Sequence, residues 1–142
     1  MAWVVPSRYI VLVHFWTSDI ARVMDFFTGT LGFTVAHTQP EGGPFDFCIL
    51  KLEDQEVLFG APPEDLITQD RNDRPLLETV RDRIGRGGPS SVYFAVGDID
   101  AHYRTATRRG VTVLEPLWLT PWGLNQYSVS DPDGNLLTFH SR

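Results

Sequence analysis

Residues 9–33, YIVLVHFWTSDIARVMDFFTGTLGF, are answered later in the same chain by residues 91–111, SVYFAVGDIDAHYRTATRRGV. Each stretch opens with a β-branched and aromatic run. Each then passes through a short acidic residue, Asp19 or Asp98, into residues of helical spacing that end at a glycine, Gly32 or Gly110. The two aspartates are 79 positions apart and the two glycines 78. Stacked solenoid units repeat every 20 to 50 residues or roughly so, and a period this long instead indicates two copies of one βα-containing module, each about half the chain.

Outward from that stretch, the local chemistry completes each module. The seven residues 9–15 are apolar or aromatic except for His14, which predicts a strand buried on both faces. Ser18 or Asp19 can cap a helix by accepting from free first-turn N–H groups. Ile20, Val23, Met24, Phe27 and Leu31 then form one apolar stripe, and Gly32 closes the helix in the left-handed conformation that a residue without Cβ adopts cheaply. Further strands are predicted over 33–37, 45–52 and 56–61, separated by Gly42-Gly43-Pro44 and Glu53-Asp54-Gln55. In residues 65–86, Leu76, Leu77, Val80 and Ile84 recur at helical spacing and predict a connecting helix, closed by residues 85–89. The second copy carries a stripe of Ile99, Tyr103 and Ala106, then strands over 111–114, 126–129 and 136–140. Asp131-Pro132-Asp133-Gly134-Asn135 supplies a tight hairpin, because proline presets φ and Gly and Asn accept positive φ. The expected fold is α+β, two paired βαβββ modules in one domain over residues 1–142. The first module occupies 1–63, a connecting helix and linker 64–89, and the second module 90–142.

Composition narrows the function. A chain of 142 residues, 42% hydrophobic, can bury one substantial core. A net charge of -6 leaves no basic stripe, so a phosphate backbone is repelled and nucleic acid is excluded as a partner, whereas cationic small molecules are tolerated. Cys48 is the sole cysteine, which rules out an internal disulfide and any cysteine-only metal site. Its apolar neighbours Phe47, Ile49 and Leu50 mark it as a core residue rather than a nucleophile. No apolar run approaches the roughly 20 residues that cross a bilayer, and the N-terminal run lacks a basic start and a cleavage pattern. A cytoplasmic protein with no membrane partner is expected. Residues 85–88 are glycine-rich but precede a strand, so they read as a linker and not a phosphate loop. No nucleophile elbow is present either.

The helix start at Ser18-Asp19 with Phe26-Phe27 and Leu31-Gly32-Phe33, the second helix end at Arg109-Gly110-Val111, and Pro121-Trp122-Gly123 followed by Asp131-Pro132-Asp133-Gly134-Asn135 occur in a characteristic order. In this the chain resembles the glyoxalase/bleomycin-resistance/extradiol-dioxygenase superfamily, the vicinal oxygen chelate proteins, and within it the metal-free bleomycin-resistance branch. The resemblance implies curved sheets that form a cup-shaped cavity, commonly in a homodimer. It also implies that metal-dependent relatives hold a divalent ion through one residue on the first strand and one on the fourth strand of each module. Those positions correspond here to Leu12, Leu58, Ser91 and Thr138, a set without the imidazole and carboxylate donors that such an ion requires. No metal or other cofactor is therefore expected. His14, Glu56 and His140 lie two residues from three of these positions, on the same strand faces, and form the alternative metal set. Otherwise His14 and His140 read as partly buried polar residues lining the cup. His37 and His102 receive no role.

Aromatic residues remain the stronger lead. Trp16 shares strand parity with His14 and is expected to face the cup, and Trp122 matches a tryptophan that the resemblance places near the bound drug. Trp118, Tyr93 and Phe47 complete an apolar slot, with Glu56, Asp46 or other carboxylates to meet positive charge. Core or dimer packing accounts for Trp16 and Trp122 equally well, and for Trp3 and Trp118 better. Two functions follow. The first is a non-catalytic protein that sequesters a planar or cationic small molecule, such as an antibiotic. The alternative is an enzyme of the same superfamily: a metal-dependent lyase or dioxygenase, or a metal-free isomerase or cyclase with His14 or His140 as general base.

Overall fold

The computed structural model describes residues 11–64 and 72–141. The elements run β1 (His14–Trp16), α1 (Ile20–Gly29), β2 (Thr34–Gln39), β3 (Phe47–Leu52), β4 (Gln55–Gly60), α2 (Arg74–Arg83), β5 (Ser91–Val96), α3 (Ile99–Arg108), β6 (Thr112–Leu119), β7 (Asn125–Ser130) and β8 (Leu136–Ser141). They build two four-stranded sheets of order β1-β4-β3-β2 and β5-β8-β7-β6. The first and last strands of each module pair in parallel, and the others form antiparallel ladders. The repeat in the sequence is thus a repeat of topology, and the α+β class follows from it.

Helices α1 and α3 begin where the sequence places a cap. Asp19 Oδ1 accepts from Arg22 N at 3.1 Å and Asp98 Oδ1 from Ala101 N at 3.0 Å. Beyond the helices, Gly32 and Gly110 take φ values of +78° and +86°, which their lack of Cβ permits. The stripes bury Ile20, Val23 and Phe27 on α1 and Ile99 and Ala106 on α3. Helix α1 packs on β2 and β3, and α3 on β6, β7 and β8. Strand parity then divides the side chains between two faces. Cys48, Leu50, Leu52, Val57 and Phe59 face inward in the first sheet, as do Phe94, Val96, Tyr127, Val129, Leu137 and Phe139 in the second. The two inward sets join in one core, where Phe33 meets Phe94 edge-on at 5.3 Å and Phe139 at 6.4 Å.

Polar ties reinforce that junction. Arg22 Nη2 donates to Asp133 Oδ1 at 2.7 Å, and Arg109 Nη1 to the Gly29 carbonyl at 2.7 Å. Gln55 binds the backbone of Ala95 twice: its Nε2 donates to the carbonyl at 2.6 Å and its Oε1 accepts from the N–H at 2.8 Å. Glu53 Oε2 accepts from Gly97 N at 2.8 Å. On α3, His102 has its Nε2 2.7 Å from the Leu31 carbonyl and its Nδ1 2.5 Å from the Tyr127 hydroxyl. A carbonyl only accepts, so Nε2 carries the proton and Nδ1 accepts from Tyr127. This histidine, which sequence reasoning passes over, joins the two modules.

Several elements differ from their expected form. The first predicted strand, 9–15, starts outside the described residues, and β1 is only His14–Trp16. His14 is exposed and Phe15 half-buried, because among the described residues β1 pairs with β4 alone at the edge of its sheet. Helix α2 is shorter than the predicted 65–86, part of which lies outside the described residues, and it buries Leu77 and Val80 but not Leu76. Strand β6 runs on to Leu119, past the expected end at 114. Register shifts between Val113 and Glu115 and between Glu115 and Trp118 accommodate Pro116 in this edge strand.

Candidate functional site

On the first sheet, the face away from α1 carries an aromatic group. His14 pairs in register with Leu58, which pairs with Ile49, and Trp16 pairs with Gly60, which pairs with Phe47. The His14 ring lies 4.6 Å from that of Trp16 at 62° and stacks on Phe47 at 6.3 Å and 25°. Desolvation among these groups lowers the His14 pKa, partly offset by a backbone hydrogen bond, and favours its neutral imidazole. Gly60 makes room for the pair: a Cβ there would sit 2.8 Å from His14 Nε2 and 3.3 Å from the Trp16 ring. Three of the expected site residues, His14, Trp16 and Phe47, are therefore brought together. Glu56 shares their strand parity and pairs with Lys51.

On the second sheet the corresponding face is polar at its centre. Tyr93, Thr138 and Ser128 pair in register, and Ser128 pairs with Glu115; the next row holds Ala95, His140, Gln126 and Trp118. Gln126 Nε2 and Ser128 Oγ each donate to Glu115 Oε1 at 3.0 Å. Thr138 Oγ1 lies 2.7 Å from Ser128 Oγ and supplies its proton, since that of Ser128 is committed to the carboxylate. Tyr93 lies 6.0 Å from His140, and Trp118 meets Trp122 edge-on at 6.4 Å. Tyr93, Trp118 and Trp122 keep 47%, 44% and 64% of their surface exposed. The eight expected ligand-binding residues thus fall on the two sheets and the turn after β6, aromatic on the first and mixed aromatic and polar on the second. Glu115 was not among them. The sequence carries no signal for it: a spacing of three from Trp118 puts the two on opposite faces of a regular strand, only the register shift between them brings them to one face, and Pro116 mimics a strand end.

The residues at the positions that the resemblance assigns to metal ligands do not suit a divalent cation. Leu12 and Leu58 have no donor atom, and the hydroxyls of Ser91 and Thr138 are poor substitutes for imidazole and carboxylate. Among the described residues, no three His, Cys, Asp or Glu side chains gather closely enough to share an ion, and this includes His14, Glu56 and His140. Cys48 is fully buried, and desolvation pushes its thiol up to about 12. It is a core side chain.

Residues 9–139 match the model of the Glyoxalase/Bleomycin resistance protein/Dioxygenase superfamily, and the chain belongs to that superfamily. Among solved structures it is similar to TioX from Micromonospora sp. ML1, at 25% identity and a TM-score of 0.72 over 94% of this chain and 96% of that one. It is similar to a superfamily member from Sphaerobacter thermophilus DSM 20745, at 26% identity and a TM-score of 0.62 over 94% and 98%. A bleomycin-binding protein complexed with bleomycin shares the fold, at 18% identity and a TM-score of 0.61 over 93% and 97%. No curated protein matches the sequence significantly. Among the described residues, no helix is long and apolar enough to cross a membrane.

Proposed function

We propose that the protein is a metal-free binding protein that sequesters a planar or cationic small molecule, such as an antibiotic, and that it works as a cytoplasmic homodimer with crevices shared between subunits. The observation that carries this reading is the exposure, among the described residues, of large rings on the second sheet and the turn after β6: Tyr93, Trp118 and Trp122. Flat rings bind flat or cationic ligands through large contact area and quadrupole attraction, with little side-chain entropy to lose. The position of Leu12 and Leu58 where metal-dependent relatives carry ligands adds support, and so does the bleomycin complex of a protein with the same fold. The mechanism is capture in proportion to protein concentration over Kd, with no bond broken.

Titrating tryptophan emission with bleomycin and a panel of planar cations tests this directly. Saturable quenching at one site per chain, weakened about tenfold in Trp122→Phe, supports capture. Flat titrations across the panel refute it. Light scattering should give twice the chain mass, and a monomer at ligand-binding concentrations would remove the shared crevice. The lowered pKa of His14 favours one further reading, a metal-free isomerase or cyclase with a neutral histidine as base. Recovery of an altered compound from the wild type, but not from His14→Ala, would establish that reading instead.

A further inference from the structure

The internal repeat provides a control for the second sheet. In register, His14, Leu58, Ile49 and His37 of the first sheet correspond to Tyr93, Thr138, Ser128 and Glu115 of the second. The fold tolerates an apolar centre in that row, since Leu58 and Ile49 are both buried there. The second copy has instead two hydroxyl side chains, Thr138 and Ser128, in the places of Leu58 and Ile49, and a carboxylate in the place of His37; a polar row is a costlier way to fill a sheet than leucine and isoleucine. The row converges on one carboxylate. Gln126 and Ser128 both donate to Glu115 Oε1 and Trp118 is a third donor to the group, and a carboxylate with about four lone-pair sites keeps acceptor capacity beyond these three. Beside it, Gln126 is 3% exposed, so the donor that holds Glu115 is itself fixed within the sheet. Glu115 lines a hollow of about 500 Å3 with Leu114, Pro116 and Trp118. Burial opposes its charge, but donors from Gln126, Trp118 and Ser128 outweigh that effect and hold the carboxyl below its ordinary range.

We propose that Glu115 selects ligands by charge, and that the hollow beside Trp118 takes an aryl amidinium or guanidinium group. A planar cation with two N–H donors matches a carboxylate edge, and the Trp118 ring that lines the same hollow favours its charge. This rests on the binding-protein reading above and names the chemical class that the second sheet accepts.

Benzamidine and its neutral analogue benzamide provide the test, with the full chain observed through its indole N–H signals in 1H-15N spectra. Benzamidine should shift the Trp118 signal at millimolar concentration and bind about tenfold more tightly than benzamide, a difference that falls within about twofold in Glu115→Gln. Raising salt should weaken benzamidine and leave benzamide unchanged, a wild-type measurement that does not depend on how the variant folds. Equal binding of the two probes, no benzamidine binding, or an unchanged preference in a folded Glu115→Gln overturns the proposal. If planar drugs bind the wild type and Glu115→Gln alike, charge selection fails while drug capture stands. If benzamidine binds through Glu115 but no drug binds, capture fails and the anchor stands.

Discussion

Gly60 shows how a single missing atom shapes the first sheet. The rings of His14 and Trp16 occupy the space that any larger residue would fill. Gly60→Ala should rotate both rings off their preferred angles at a cost of about 1 kcal/mol, and lower the affinity for a planar ligand by about fivefold. Parallel thermal melts and fluorescence titrations would separate the two effects, and equal affinity would show that these rings do not line the site. At this scale the sequence was legible for type and face. Strand parity placed His14 and Trp16 on one surface because a strand alternates strictly, whereas Phe47 joins them through the pairing of β1, β4 and β3. It was silent on Glu115, because a bulge breaks the alternation, and on His102, because the partners that define it lie 25 and 71 positions away.

Among the elements, the helices were the most readable, since Asp19, Asp98, Gly32 and Gly110 mark ends whose chemistry is local. Strand edges were less so. Whether a run is central or peripheral depends on topology, and β1 looked doubly buried from its composition alone. The linker before β5 carries a constraint of its own. A Cβ on Gly87 would fall 2.3 Å from the Gly134 carbonyl oxygen, backbone against backbone, and Gly87 has φ of +68°. The linker therefore lies directly against the Asp131–Asn135 turn, where Asp131 Oδ1 accepts from the N–H groups of Asp133 and Asn135. Gly87→Ala combines strain with collision and should cost at least about 2 kcal/mol, whereas Gly88→Ala, with open space around it, should cost less than about 1 kcal/mol. Denaturant midpoints for the pair would decide the matter.

For the molecule as a whole, the shared core and the crossing hydrogen bonds imply that the modules melt together. Phe33→Ala should remove about 3 to 5 kcal/mol and shift one transition, not split it in two; two resolved transitions in calorimetry would contradict that. Acid should weaken the same junction. Burial lowers the pKa of His102 in the folded chain, with the Leu31 hydrogen bond and the Glu53 charge only partly offsetting it, while the unfolded chain keeps the ordinary 6.5. In the interval between these values the unfolded state binds more protons. The contribution of His102 is therefore complete above pH 6.5 and is lost as pH falls through the folded value. Thermal midpoints should decline from pH 7.5 to 5 or so, and less steeply in His102→Gln, which keeps a donor and an acceptor but cannot be protonated there.

The two bonds from Gln55 to Ala95 have a consequence beyond holding the halves together. Among the described residues β5 is the outer strand of its sheet, and a bare outer strand is a template for self-propagating pairing between molecules. The Gln55 amide stoppers that template at its middle, occupying the N–H and C=O of Ala95 as a neighbouring chain would. Gln55→Leu should accordingly raise the rate of fibrillar or amorphous precipitation on warming, followed by turbidity and thioflavin emission, well before the midpoint of unfolding.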